Sequence, residues 1–232
     1  MTTSLFVRSY PKDFGWLRYS IASMKKYLTG VDNKVLVVPW KTTIPVDIES
    51  FFDVVVESYL YEKLDGYVAQ QFDKLDAHRY VNTDYILYSD SDCIYTAPFD
   101  VSSMFNPLPV LGMTPYTQLE GSDGHIWKGI TENLIGFPVS HEFMRNQPLV
   151  HRVETLKALA IDHPDLYKRV HGRNISEFNL LGAFAFNENH PYHFTEEVPQ
   201  YPCKQFWSWG GLTTEIQTQI EGYISNEVQE NT

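Results

Sequence analysis

The feature that most constrains this chain is a short apolar run that ends in two carboxylates. Tyr85–Tyr88 is apolar and aromatic throughout, and Asp90, Ser91 and Asp92 follow almost at once. Such a run is typical of a strand buried on both faces of a parallel sheet. Residues i and i+2 of an extended segment lie on one side, so the carboxylates of Asp90 and Asp92 are expected to converge. Ligands bind at the carboxyl edge of open α/β sheets, so the pair predicts a site for a hard divalent cation.

Two other interpretations of these residues stay open. The first is a turn without function, because Asp and Ser hydrogen-bond their own backbone and often end strands. The second is a phosphatase, in which a strand followed by Asp-x-Asp supplies a nucleophile and a general acid. That pattern usually lies on an early strand, whereas here it follows about three predicted strands. No later Gly-Asp motif is present that would complete a phosphatase metal site.

The order of the predicted elements favours an α/β fold. Apolar runs predict strands at residues 4–8, 34–39, 52–57, 85–93 and 107–114. Apolar residues at spacings of three and four predict helices at residues 14–28, 67–80 and 213–224. Strand, helix and strand in this order mean parallel pairing, so we expect a mixed, mainly parallel sheet flanked by helices. We predict a single domain at residues 1–212, followed by a C-terminal helix and tail at 213–232.

The second half of the chain is less periodic. Pro115–Gly129 contains Gly, Asp and Ser, and we expect a mobile loop over the site there. A strand is expected at residues 133–138. A helix is expected after Ser140, continuing to Leu159 with an interruption near Pro148. Residues 175–182 are expected to open another helix.

Composition limits the partners of the protein. Eighteen basic and 29 acidic residues give a net charge of −11, which repels polyanions. No apolar run of about 18 residues is present, and residues 1–5 lack the basic start of a signal peptide. We therefore expect a soluble cytoplasmic protein without membrane insertion. Cys93 and Cys203 are too few for a disulfide framework or a zinc site, and we interpret both as reduced thiols.

From Gln70 to Asp92 the sequence resembles the GT-A-fold glycosyltransferases that use nucleotide-sugar donors, especially the glycogenin-like and galactosyltransferase branch. In that branch a helix with a basic residue before a Leu, here Lys74-Leu75, precedes a strand that ends in Asp-x-Asp. Residues 143–145 and 176–182 also look like a group of uncharacterised bacterial and phage proteins assigned to this fold. The resemblance covers roughly residues 1–212 and implies a GT-A-like fold and sugar transfer from a nucleotide-diphosphate donor.

The resemblance also implies site residues. Asp90 and Asp92 would hold Mn²⁺ or Mg²⁺ on the two donor phosphates, Asp92 would take part in catalysis, and Glu177 would act beside the acceptor. Substrate contacts are implied for a larger set: Arg8, Ser9, Tyr10, Gln70, Lys74, Ser91, Asn179, Lys204, Trp207 and Ser208. Structural alternatives stand beside three of these roles: an exposed lysine at 74, a packed aromatic at 10 and an acid that only favours a helix dipole at 177.

One departure from the family concerns the third metal ligand. The related enzymes often use a His in a Gly-containing loop near the end of the domain, but the corresponding loop, residues 206–210, has none. His193 or His190 is a candidate substitute, and water is the alternative. The acceptor stays open between a glycan, a small molecule, a protein and, in a phage, a modified DNA base, although the net charge argues against DNA. A module that binds nucleotide-sugars without turnover is the non-enzymatic alternative.

Overall fold

The computed structural model describes residues 1–119, 123–144, 147–170 and 175–225. Its strands are β1 (Thr3–Arg8), β2 (Leu28–Thr29), β3 (Asn33–Pro39), β4 (Val54–Ser58), β5 (Tyr85–Tyr88), β6 (Cys93–Tyr95), β7 (Phe99–Asp100), β8 (Phe105–Asn106), β9 (Leu108–Gly112), β10 (Thr114–Pro115), β11 (His141–Glu142), β12 (Leu149–Arg152), β13 (His193–Thr195) and β14 (Cys203–Gln205). Its α-helices are α1 (Phe14–Tyr27), α2 (Val46–Glu49), α3 (Gly66–Leu75), α4 (Trp127–Ile135), α5 (Val153–Asp162), α6 (Leu166–Arg169), α7 (Glu177–Asn187) and α8 (Thr214–Ser225).

The central sheet has five strands in the order β12-β5-β1-β3-β4. β1 pairs in parallel with β3 and β5, β3 pairs in parallel with β4, and β12 is antiparallel to β5. The chain therefore builds outward from β1 to β4 and then returns to place β5 on the other side of β1. This reversal creates a topological switch point between the carboxyl ends of β1 and β5, the position where open α/β sheets bind ligands.

Alternate residues of the sheet face two separate helix layers. Phe6, Ile86 and Tyr88 pack with residues of α3, α5 and α7, whereas Leu5 and Leu87 pack with residues of α1. Each fully buried side chain of this kind contributes about 1.5–3 kcal/mol through the hydrophobic effect. Because the strand is covered by helices on both faces, the run Tyr85–Tyr88 is apolar or aromatic at every position. The expected mixed, mainly parallel sheet flanked by helices is confirmed, and it forms a single domain.

Helix α8 packs against α1. Ile220 is fully buried in a cluster with Trp16 and Ile94, and the Tyr27 hydroxyl donates a hydrogen bond to the carbonyl oxygen of Tyr223 at 2.7 Å. The apolar stripe that predicted this helix is therefore its contact face. None of the described helices is both long and apolar enough to cross a membrane.

For residues 115–138, the predicted strand is wrong and the predicted loop is shorter than expected. The strand expected at 133–138 is the end of helix α4, which begins at Trp127, inside the expected loop. Leu134 and Ile135 are buried on one face of this helix, and Gly136 ends it with a φ of 85°. An apolar run this short fits a strand or a helix equally well, so periodicity alone could not decide. Short 3₁₀ turns occupy 116–118 and 123–126, while residues 120–122 of the expected loop lie outside the described part of the chain.

The helix expected after Ser140 is also wrong in its first half. Strands β11 and β12 lie in this part of the chain, and helix α5 starts only at Val153. β12 pairs with β5, with Val150 opposite Leu87, so its apolar residues complete the edge of the sheet. This pairing joins residues far apart in sequence and outweighs the local helical spacing.

Candidate functional site

The two aspartates lie at the switch point, in the turn that joins β5 to β6. The Cys93 amide donates a hydrogen bond to the carbonyl oxygen of Asp90 at 3.0 Å, so this segment is not extended as the sequence predicted. The carboxylates still converge. The side-chain nitrogen of Gln205 is 3.4 Å from Asp90 Oδ2 and 3.3 Å from Asp92 Oδ1. One positively polarised atom is thus shared by both carboxylates.

Strand β14 brings a second segment to the pair. It is antiparallel to β6, with Gln205 opposite Cys93, and the chain then continues past Asp92. The Ser208 amide donates a 2.7 Å hydrogen bond to Asp92 Oδ2, and the Phe206 amide donates one to the Asp92 carbonyl oxygen at 3.1 Å. Asp92 is only 6% exposed, and these bonds fix its carboxylate.

Lys74, on α3, joins Asp90 to Glu177. Its Nζ lies 2.6 Å from Asp90 Oδ1 and 2.8 Å from Glu177 Oε1. Lys74 is 5% exposed, so the alternative of a solvated surface lysine is wrong. Burial opposes the charge of the ammonium, but the carboxylates of Asp90 and Glu177 outweigh it and raise the pKa of Lys74. The ammonium therefore stays protonated at neutral pH.

Glu177 is the first residue of α7 and is 2% exposed. Ser176 caps the helix by accepting a hydrogen bond from the Asn179 amide, and the buried side chain of Gln71 accepts one from the Glu177 amide at 2.9 Å. Burial raises the pKa of the Glu177 carboxyl above its ordinary value, while Lys74 opposes the rise. Glu177 is therefore part of a buried ion pair and not a surface acid at a helix start.

Asp13 is a further carboxylate that the sequence did not assign to the site. It is the residue before α1, but its side chain makes no capping hydrogen bond. It instead accepts a long hydrogen bond from the Ser208 hydroxyl at 3.5 Å. Burial, with the charges of Asp92 and Asp90, raises the pKa of Asp13 to about 6 despite the opposing Arg8. The carboxylates of Asp13, Asp90, Asp92 and Glu177 form what we call the acidic cluster.

The acidic cluster carries more negative charge than its neighbours neutralise. In the described part of the chain, Lys74 forms salt bridges with the cluster at Asp90 and Glu177. Burial raises the pKa of the Asp92 carboxyl above its ordinary value, and the negative charge of Asp90 raises it further. Mn²⁺ and Mg²⁺ take oxygen ligands and commonly keep waters, binding through one or two carboxylates plus substrate phosphates. The converging oxygens of Asp90 and Asp92 match that chemistry.

The structure does not bring the candidate histidines to this pair. His193 is exposed on β13, which pairs with β9 outside the central sheet, and His190 contacts the Thr155 hydroxyl at 3.2 Å. Over the described ranges, no three His, Cys, Asp or Glu side chains form a group that could hold a metal ion. Among the described residues, a third ligand from His193 therefore has no support in the geometry.

The residues that end β1 form the next part of the site. Arg8 is buried, its Nε lies 3.4 Å from Asp73 Oδ2, and its guanidinium lies 4.6 Å from the centroid of the Tyr61 ring and 6.0 Å from that of Tyr10. Within the described residues, Arg8 Nη2 and the Ser9 hydroxyl are buried without a hydrogen-bond partner. Buried polar atoms are nearly always paired, so these two atoms are available to a ligand.

Two aromatic residues extend this surface. Trp40 follows β3 and Tyr59 follows β4, and their rings stack with centroids 4.2 Å apart. Tyr59 is 51% exposed. Neither was predicted from the sequence, although Trp40 directly follows one predicted strand and Tyr59 lies two residues after another, so both belong to the carboxyl edge of the sheet.

Three predicted substrate contacts are placed elsewhere. Gln70 is half-buried one residue before Gln71, about 100° around the helix, and Gln71 is the one that contacts Glu177. Asn179 uses its amide on Glu142, Ser176 and Phe143, which assigns it to positioning α7. Side chains alternate along a strand, so Lys204 faces away from the aspartates beside Gln205, and its Nζ lies over Phe206.

Two predicted contacts lie next to the aspartates. Ser91 is buried between them, and Trp207 is half-exposed beside Ser208. Ser208 touches the site through its backbone amide, which holds Asp92, in addition to its hydroxyl.

A cavity of about 620 Å³ lies at the opposite edge of the sheet, lined by Asp84, Tyr85 and Arg152 among others. None of the site residues described in this subsection lines the cavity. Because the converging carboxylates lie at the switch point, we assign the candidate site to the switch point and not to the cavity.

Comparison with known proteins agrees with the architecture. Across 98% of this chain, the structure superposes on the glycosyltransferase GlyE of Streptococcus pneumoniae TIGR4, with a TM-score of 0.55 and 12% identity. The chain shares the fold of a glycosyltransferase. It spans 61% of the length of GlyE. No family model and no curated protein matches the sequence.

Proposed function

We propose that this protein is a metal-dependent glycosyltransferase that moves a sugar from a nucleotide-diphosphate donor to an acceptor hydroxyl. The observation that carries the proposal is the buried Lys74 ammonium, which joins Asp90 to Glu177 at the switch point of a fold shared with a glycosyltransferase. The likeness to GlyE supports the fold, and the chemistry of the acidic cluster supports the reaction.

Asp90 and Asp92 are the proposed metal ligands. Their facing oxygens, Oδ2 and Oδ1, share the amide nitrogen of Gln205, which marks where a cation would be held by both. A bound Mn²⁺ or Mg²⁺ would act as a Lewis acid that neutralises the leaving diphosphate. Ser208 keeps Asp92 in place through its amide, and Lys74 keeps Asp90 in place.

The nucleotide is proposed to lie along the carboxyl ends of β1, β3 and β4. Arg8 Nη2 and the Ser9 hydroxyl are unpaired buried donors among the described residues, suited to phosphate or ribose oxygens. The rings of Trp40 and Tyr59 offer an aromatic surface for a base. In this proposal the diphosphate would lie near Asp90, between Arg8 and Ser9 on one side and the Asp90–Asp92 pair on the other.

Glu177 is proposed to act on the reacting atoms. In the transfer, the acceptor oxygen forms a bond to the anomeric carbon, the diphosphate leaves with the bonding electrons, and the acceptor proton passes to a base. A buried carboxylate with a raised pKa is suited to accept that proton or to stabilise positive charge on the sugar. Lys74 fixes its orientation.

The test begins with a panel of nucleotide-sugars and purified protein, measuring nucleotide release with Mn²⁺ and with a chelator. We expect metal-dependent release from at least one donor. Asp92→Asn should weaken metal-dependent nucleotide-diphosphate binding by about 10–100-fold in calorimetry, because one carboxylate of the pair is lost. Asp47→Asn, which changes an exposed aspartate paired with Arg18, is the matched control and should bind as the wild type does.

Two outcomes would contradict the proposal. Unchanged metal dependence in Asp92→Asn would remove the metal site from the acidic cluster. Tight nucleotide binding without release from any donor, with or without added acceptors, would indicate a binding module in place of an enzyme.

A further inference from the structure

Two exposed tryptophans flank Ser208, the residue whose backbone amide holds Asp92. Trp207 is 50% exposed and Trp209 is 86% exposed, whereas the neighbouring Phe206 packs against Trp16 with ring centroids 6.2 Å apart. The loop after β14 therefore partly buries one of its three aromatic side chains and leaves the other two exposed. Single exposed apolar residues are common, but adjacent exposed aromatics at a ligand site mark a binding surface.

The backbone holds these indoles close to the site. Ser208, between them, donates its amide to Asp92 at 2.7 Å and its hydroxyl to Asp13 at 3.5 Å. Trp207 has a φ of 56°, a left-handed conformation that bulky residues rarely adopt. The Gly210 amide stabilises this turn by donating to the Trp207 carbonyl oxygen at 3.0 Å. Such strain persists only where the surroundings enforce it, and it often occurs at ligand sites.

The combination of indoles and carboxylates selects among acceptor classes. The C–H face of a sugar ring is weakly positive and packs on the electron-rich face of an indole. Sugar hydroxyls donate hydrogen bonds to carboxylates, and Asp13 lies next to Ser208. A nucleic acid would instead bring phosphates toward the acidic cluster on a chain of net charge −11.

We propose that the acceptor is a carbohydrate and that Trp207 and Trp209 bind one of its sugar rings beside Asp13. This inference rests on the proposed sugar transfer, because it names the acceptor of that reaction. Trp207 and Trp209 belong to the loop that holds Asp92 through the Ser208 amide, and the proposed nucleotide surface lies at Trp40 and Tyr59. Donor and acceptor would thus approach the cluster from different loops.

The experiment measures glycan binding by the full chain on an array of immobilised mono- and oligosaccharides. Saturation-transfer NMR then follows one bound sugar in solution. We expect Trp209→Ala and Trp207→Gly to weaken binding at least tenfold. Glycine adopts positive φ without strain, so Trp207→Gly removes the indole and keeps the turn. Trp209→Phe retains an aromatic face and should bind within about threefold of wild type. Tyr167→Ala, which removes an aromatic side chain 51% exposed on α6, is the control and should not change binding.

The outcomes separate this inference from the proposed function. Wild-type binding by Trp209→Ala, absence of any glycan binding, or tryptophan-dependent binding of single-stranded DNA each overturns the carbohydrate assignment. Nucleotide release by the wild type, measured without acceptor, tests the sugar-transfer proposal independently. Release without glycan binding would overturn only the present inference, and tryptophan-dependent glycan binding without release from any donor would overturn only the proposed function.

Discussion

At the scale of single residues, the site depends on the charge balance around Lys74. One ammonium contacts two carboxylates; Lys74 and Glu177 are buried, and the Asp90 side chain is 24% exposed. Removing one partner of a buried ion pair typically costs about 3–5 kcal/mol, because the other charge is left uncompensated. When Glu177 is changed, Lys74 still contacts Asp90, so the positive charge of the Lys74 ammonium remains partly compensated. This allows Glu177 to be tested without removing the pair as a whole.

We predict that Glu177→Gln lowers single-turnover transfer by about 10²–10⁴-fold, the usual contribution of a general acid or base. Gln retains an oxygen that can accept from Lys74, so the fold and the nucleotide affinity should change little. The control is Glu154→Gln, which neutralises an exposed acid in the first turn of α5. A Glu177→Gln protein that is less stable but transfers at the wild-type rate would leave this residue with a purely structural role.

At the scale of elements, the start of α7 is set by close packing against the loop after β11. A Cβ placed on Gly182 would fall well inside contact distance of Phe143 Cβ and Cγ. The Phe143 amide in turn donates to Asn179 Oδ1 at 2.8 Å, near the helix start that carries Glu177. Glycine therefore lets α7 approach this loop, at the cost of a weaker helix.

We predict that Gly182→Ala destabilises the protein by about 1–3 kcal/mol, since overpacking outweighs the gain in helix propensity. Urea unfolding monitored by circular dichroism gives the value. Gly129→Ala is the matched control. It also lies within a helix, α4, but nothing lies within 4 Å of its added Cβ, so it should stabilise by up to about 1 kcal/mol. Equal effects of the two substitutions would contradict the packing argument.

The elements also indicate how far sequence alone could reach. β5 and its aspartates were predictable, because a buried strand and its polar end are local features. Lys74 followed from a resemblance that spans about twenty residues. Gln205 was not predictable, because it reaches the aspartates only through the pairing of β14 with β6, more than 100 residues apart. The position of His193 likewise depends on a long-range pairing, that of β13 with β9.

At the scale of the whole molecule, burial of ionisable groups makes stability depend on pH in two opposite directions. Asp13, with its pKa raised to about 6, binds a proton more readily in the fold than in the unfolded chain. Its contribution to stability is therefore lost as pH rises through about 6. His151, on β12, behaves in the opposite way. It is fully buried, its ring stacks on Phe178 with centroids 6.1 Å apart, and its neighbours Tyr88 and Tyr192 are also buried.

We predict that His151 makes the fold sensitive to acid. Burial lowers the pKa of His151 from 6.5 to about 3, so between these values the unfolded chain binds one more proton than the fold. The contribution of His151 to the free energy of unfolding must then fall as pH decreases below 6.5, by about 1.4 kcal/mol per pH unit. The His151→Leu variant lacks this titrating group, so its unfolded chain does not bind the extra proton. Urea unfolding at pH 8 measures its packing effect alone, and the same comparison at pH 4.5 should shift in favour of the variant by about 2–3 kcal/mol. The titration of Asp13 cancels in this difference, because both proteins retain it. A difference between the two proteins that does not change from pH 8 to pH 4.5 would show that His151 is protonated in the fold, or exposed by local opening, well above pH 3.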